Sequence, residues 1–364
     1  MRRWWWLCGL WLVIACQKQQ EINPDGTPSG SLYFPPLLGD TWESQTPESL
    51  QWDTGKLADF YTYLQGKNTR ALVILKNGKI VVEKYWGKSI VGTGDFDRSA
   101  QWYWASAGKS LTATLVGIAQ QDGLLNINDK TSQYLGRWTS APLEKENLIT
   151  IRHQLTMTSG LDFGIDDLDC TTPDCLNYKV DAGTQWFYHN GVYTLLEQVV
   201  SKAAGISYNL FCDTKVEQFT GMQGTWIKTG SNNIYWSTAR DAARFGLLIL
   251  NKGDWDQTPV LKDKKYFTEM TTTSQDLNRS YGYLWWLNGK NSIVYPGVTF
   301  SIPVSLVPSA PADLFAAMGK NGQFIEVIPS LNIVVVRMGE APDDKPVPIS
   351  FHQEFWSQLG QIIK

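Results

Sequence analysis

Histidine is scarce in this chain. The three present, His153, His189 and His352, have no zinc-site spacing to one another or to a cysteine. No metal and no cofactor is therefore expected. A basic block is also missing. Lys and Arg number 32 against 35 Asp and Glu, for a net charge of −3, which leaves no stripe for a nucleic-acid backbone. There is no Gly-x-Ser-x-Gly, so the nucleophile elbow of an α/β-hydrolase is excluded. "GKS" at 108–110 lacks the glycine of a phosphate-binding loop five residues upstream, where Tyr103 stands. No local signature supports a Ser-His-Asp triad, and no repeat of fixed period is visible.

Long apolar runs are absent too. The strongest, Trp4 to Ile14, is too short to span a bilayer. With Arg2 and Arg3 before it, it fits the h-region of a secretory signal over residues 1–15. It ends in "VIAC", which resembles a bacterial lipobox. That resemblance implies cleavage before Cys16, lipidation of Cys16, and an exported lipoprotein on a membrane, facing the periplasm or the cell surface. Of the five cysteines, Cys170, Cys175 and Cys212 remain. In an oxidising compartment "CTTPDC" closes a small Cys170–Cys175 disulfide loop or keeps two free thiols; the spacing leaves both open.

What is present is globular. Hydrophobic residues make up 43% and charged residues 18%. Residues 17–46, rich in Gln, Pro, Gly and Ser, read as a flexible tether, and the domain is expected over 47–364. A helix is predicted from Pro47 to Gln65. Two β-branched runs flank Asn77-Gly78, the strongest short hairpin signal. Helical periodicity follows over 107–122, after Thr150, over 192–205 and over 237–253, most of these ending at glycine. Strand-like runs return in "YGYLWWLNG", "DLFAAMG", "QFIEVIPS" and "NIVVVRMG", and "FHQEFWSQLGQIIK" closes the chain as a helix. The fold class is α+β: an antiparallel sheet flanked by helices, with a mostly helical subdomain (about 107–255) inserted in it.

Three short motifs carry chemistry. Ser106 and Lys109 lie three apart at a helix start, on one face. A serine hydroxyl needs a base, and a desolvated lysine serves as one. Tyr188-x-Asn190 precedes a second helix. A tyrosine near lysines is favoured as phenolate and can shuttle a proton, and an amide binds a carbonyl or an ammonium. Lys-x-Gly occurs three times. Lys76 belongs to the hairpin, and Lys228 reads as part of a polar loop with no strand before it. Lys320-Asn321-Gly322 sits between two strand-like runs and is selected.

In that order the motifs resemble those of the serine β-lactamase and penicillin-binding protein superfamily, in the branch related to class C β-lactamases. That branch includes esterases, D-peptidases and 6-aminohexanoate-dimer hydrolases. The resemblance covers roughly residues 50–364 and includes "GLLNINDKTSQYL" and "STARDAARFGLLIL". It implies a β-lactamase/transpeptidase-like fold and an acyl-enzyme on Ser106. Lys109 and Tyr188 would manage protons, Asn190, Lys320 and Gly322 would bind substrate, and the Ser106 and Gln323 N–H groups would form the oxyanion hole. The third motif departs from the Lys-Thr-Gly of class C β-lactamases, so the expected reaction is hydrolysis of a small ester or amide. A β-lactamase or DD-peptidase acting on peptides, or a sensor that is acylated without turnover, are the alternatives. Trp102, Trp104, Trp186, Trp285 and Trp286 are expected either to form an apolar pocket or to fill the core.

Overall fold

The computed structural model describes residues 32–345 and 347–363. The expected signal segment, Cys16 and residues 17–31 of the expected tether lie outside them. Among the described residues the strands run in chain order β1 (Thr69–Lys76), β2 (Lys79–Tyr85), β3 (Trp102–Tyr103), β4 (Gly224–Thr229), β5 (Asn232–Ser237), β6 (Asp254–Trp255), β7 (Thr258–Pro259), β8 (Trp286–Leu287), β9 (Phe315–Gly319), β10 (Gln323–Ile328) and β11 (Ile333–Gly339). Six of them form one antiparallel sheet in the order β2-β1-β11-β10-β9-β8.

The β1–β2 hairpin turns where the sequence places it. Asn77 (φ 51°) and Gly78 (φ 80°) are both left-handed, as a two-residue hairpin of matching twist requires. β10 and β11 are buried along their whole length, because helices cover both faces of the sheet. On one face lie the helices Thr54–Gly66 and Ile349–Ile362, with Phe60 edge-on to Phe355 at 5.1 Å. On the other lies the helix Ala239–Leu250. Its Gly246 has no side chain to keep it off Val334 and Ile325.

Several expectations are corrected. The first long helix begins at Thr54, not Pro47, because the Asp53 carboxylate caps it by accepting from Lys56 N–H at 3.0 Å. Residues 32–46 are not a free tether: Tyr33 N–H donates to Asn77 carbonyl at 3.0 Å and Trp42 Nε1 to Gly78 carbonyl at 2.8 Å. The inserted subdomain holds a second sheet, β3-β5-β4. "IKTGSNN" is the hairpin of that sheet, so Lys228 lies on β4 and not in a loop. "YGYLWWLNG" supplies only the two residues of β8.

Candidate active site

Ser106 sits in a 3₁₀ turn, Ala105–Ala107, between β3 and the helix Gly108–Gln121. The turn is fixed from both sides. Before it, Trp104 N–H donates to Tyr235 carbonyl at 2.8 Å and its Nε1 to Ser237 Oγ at 2.8 Å. After it, the helix is buried from Gly108 to Ala119, and Ser110 Oγ donates to Leu284 carbonyl at 2.8 Å. Ala105 is held at φ 48°, a conformation costly for a residue with a β-carbon. The end of β9 presses against this turn. A β-carbon on Gly319 would collide with Trp104 carbonyl and sit 3.1 Å from Ala105 Cβ.

Lys109 follows one helical turn after the serine, and its Nζ stands 3.1 Å from Ser106 Oγ. The side chain is only 4% exposed. Burial brings its ammonium down to about 7, while the Asp169 carboxylate pulls the other way. Nζ also lies 5.0 Å from the ring centre of Tyr188. Burial pushes the Tyr188 phenol well above its ordinary value, and the Ser106 hydroxyl offsets this only in part. Tyr188 is therefore a neutral phenol at pH 7, not the phenolate expected from the nearby lysines. Tyr188 stacks on Trp286, with centroids 5.9 Å apart.

Asn190 opens the helix Asn190–Thr194, whose cap is the His189 side chain. The Asn190 Oδ1 is buried and has no hydrogen-bond partner among the described residues. Ser106, Lys109, Tyr188, Asn190 and Lys320 all line one cavity of about 430 Å³. Along β9, β8 pairs with Phe315 and Ala316 alone, and further along that strand Met318 and Gly319 line the cavity.

Gly322 and Gln323 are not on that lining. Asn321 (φ 65°) and Gly322 (φ 74°) reverse the chain, so Gln323 begins β10, one strand further from the serine. Its side chain pairs both ways with the Gly339 backbone, at 2.6 and 3.0 Å. Lys228 also lies off the lining, although Asn232 and Asn233 from the same hairpin are on it. Of Trp102, Trp104, Trp186, Trp285 and Trp286, only Trp286 lines the cavity. Trp102, Trp104 and Trp285 are core residues, at 0%, 1% and 0% exposure.

Sequence reasoning missed two lining residues of consequence. Asp169 is the one carboxylate on the lining among the described residues. It precedes Cys170, which is joined to Cys175 by a disulfide. Gly191 N–H donates to Leu168 carbonyl at 2.8 Å, so this loop is pinned to the helix that carries Asn190. The other residue is Tyr193, on that same helix.

The sequence matches the family model described as Beta-lactamase over residues 64–347, more than half of the chain. The chain belongs to the beta-lactamase family. That family is one of hydrolases, and the fold is β-lactamase/transpeptidase-like. An uncharacterised protein of Alkalihalophilus pseudofirmus is 24% identical over 73% of this chain and 82% of its own length. The beta-lactamase of Escherichia coli is 29% identical over 34% of this chain, a match spanning only 33% of that enzyme. Among solved structures, a Bacillus anthracis protein provisionally described as a 6-aminohexanoate-dimer hydrolase superposes with a TM-score of 0.65. That superposition has 16% identity and covers 94% of this chain and 89% of the other. At that identity the likeness shows the fold alone.

Proposed function

We propose that the chain is a serine hydrolase that cleaves a small ester or amide through an acyl-enzyme on Ser106. The observation that carries this reading is the 3.1 Å contact between Ser106 Oγ and a buried Lys109 whose ammonium burial brings down to about 7. Such a lysine is substantially neutral at pH 7 and can accept a proton.

In the first step Lys109 Nζ takes the hydroxyl proton as Ser106 Oγ bonds to the substrate carbonyl carbon. The carbonyl oxygen becomes the oxyanion. Its donors are the N–H of Ser106 and, from the cavity edge after Gly319, the N–H of Lys320 in place of Gln323. On collapse the bond to the leaving oxygen or nitrogen breaks, and that atom takes a proton from the neutral Tyr188 phenol. Lys109 returns its proton to Tyr188. Water then attacks the acyl carbon, with the same groups moving its proton, and Ser106 is released. The unpartnered Asn190 Oδ1 is an acceptor for a substrate N–H.

Two features favour an ester or amide over a β-lactam. Met318, Gly319 and Lys320 offer no side-chain hydroxyl along the open strand edge. Asp169 places negative charge in the cavity, which disfavours a substrate carboxylate nearby. The test is turnover of a panel of p-nitrophenyl esters, anilides and β-lactams by the wild type and by Ser106→Ala. Hydrolysis of esters or anilides that disappears in the variant supports the reading, and equal rates overturn it.

The Cys170–Cys175 disulfide supports export to an oxidising compartment. With the lipobox-like segment it favours a lipoprotein anchored at Cys16. Radiolabelled palmitate incorporation that is lost in Cys16→Ser tests this, and unlabelled wild type refutes it.

A further inference from the structure

Lys109 has a neighbour that the reaction above does not use. Its Nζ stands 4.1 Å from the ring centre of Tyr193, closer than the 5.0 Å to Tyr188. Ser106 Oγ is the one hydrogen-bond partner of Nζ among the described residues. An ammonium has three N–H groups, so on its other sides this one meets aromatic faces. Tyr193 is 6% exposed, so little water competes for the ammonium there.

The ring is held by burial, and its hydroxyl lies near the lysine's own helix. Tyr193 Oη lies 3.5 Å from Thr112 Oγ1, which accepts from Tyr208 Oη at 2.9 Å. Thr112 is one turn beyond Lys109 on the same buried helix, on the same face. The ring beneath the ammonium is thus set beside the lysine's own helix.

We propose that Tyr193 is a positioning residue for Lys109: its ring face stabilises the ammonium that forms during acylation and keeps Nζ within reach of Ser106. The inference rests on the reading of Ser106 and Lys109 as nucleophile and base. An aromatic face carries negative potential and attracts a cation, more strongly where water is excluded. Lys109 shares the cavity lining with other ionisable side chains, Tyr295 and His352 among them. Asp169 comes from the disulfide loop, Tyr188 from the segment before the helix, and Lys320 from the strand end. Tyr188 and Tyr193 are both kept neutral by burial. The one full negative charge is therefore Asp169, and the nearest π face is Tyr193. A lysine buried without that face would be a weaker base, and its aim at Ser106 would rest on one hydrogen bond.

The test is a pH titration of Lys109 by NMR in the ¹³C-lysine-labelled full chain, with Lys109→Arg to assign the signal and no substrate present. Tyr193→Phe keeps the face and should titrate like the wild type. Tyr193→Leu and Tyr193→Met remove it and should titrate lower by roughly 0.5–1.5 pH units, the size of a desolvated cation–π contact. The unbranched, flexible methionine can follow the shape of the vacated ring where leucine cannot, so a fold lost in the leucine variant leaves a working probe. In kinetics, the acid limb should move down by the same amount, and kcat should fall while KM holds. Tyr193→Phe should restore both. A Lys109 titration in Tyr193→Met that coincides with the wild type overturns the inference. If the wild type acylates nothing, the hydrolase reading fails while the titration still decides the role of Tyr193.

Discussion

Gly319 and Trp104 meet backbone to backbone: a β-carbon on Gly319 would collide with Trp104 carbonyl and approach Ala107 nitrogen to 3.0 Å. The end of β9 is thereby pressed onto the turn that carries the nucleophile. Gly319→Ala must push strand and turn apart. Misplacement by a fraction of an ångström costs an acyl-transfer site about 10- to 100-fold, and overpacking costs about 1–3 kcal/mol in stability. Steady-state kinetics and thermal melts should show both losses, with the larger in kcat.

Lys109 sets the pH dependence of acylation. Below about 7 it is charged and cannot take the Ser106 proton; above it the amine is free. The acylation rate should therefore rise with pH through that region. Tyr188, held well above its ordinary value, should add no limb near neutrality. Lys109→Arg stays charged at all these pH values and should lose about 10²–10⁴-fold. Stopped-flow acylation across pH 5–9 checks the sign.

Asp169 pulls the Lys109 ammonium up against burial. Asp169→Asn should lower the Lys109 titration and move the acid limb to lower pH. The same charge faces the substrate, so the wild type should favour cationic over anionic acyl groups in kcat/KM. The preference should shrink in Asp169→Asn. A matched series of amino-, methyl- and carboxy-ended p-nitrophenyl esters measures it.

Gln323 separates structure from chemistry. Its side-chain amide both donates to and accepts from the Gly339 backbone, away from the cavity. Gln323→Ala should cost about 1–3 kcal/mol by leaving those buried groups unpaired. The kinetic constants should stay near wild type in protein kept below its melting temperature. A selective loss of kcat would instead show that the Gln323 side chain acts on the reaction.

These contrasts show where the sequence was readable. Asn77-Gly78 specified its hairpin because only that turn chemistry tolerates two left-handed residues. Thr150 caps the helix that follows it, as its place in the sequence suggests. Ser106, Lys109, Tyr188, Asn190 and Lys320 converge on one cavity, although Lys320 is more than two hundred residues from Ser106. The letters Lys-x-Gly could not show that the chain reverses at Asn321 and Gly322, which removes Gln323 from the site. The polar letters of "IKTGSNN" hid an edge hairpin, since such strands need few apolar residues. Tyr193 was read only as part of an amphipathic helix. Its spacing of three from Asn190, which puts both on one helical face, was the available signal. Asp169 had none, because its place depends on a loop pinned by a disulfide and by Gly191.

The most direct measurement is peptide mapping by tandem mass spectrometry after a millisecond quench with p-nitrophenyl acetate. The account predicts a single acetyl group on Ser106, at a rate that follows the release of p-nitrophenolate. It predicts no acetyl group at that position in Ser106→Ala and only a slow trace of adduct in Lys109→Arg. An acetyl group on another residue that turns over at the same rate, or p-nitrophenolate release unchanged in Ser106→Ala, would contradict it.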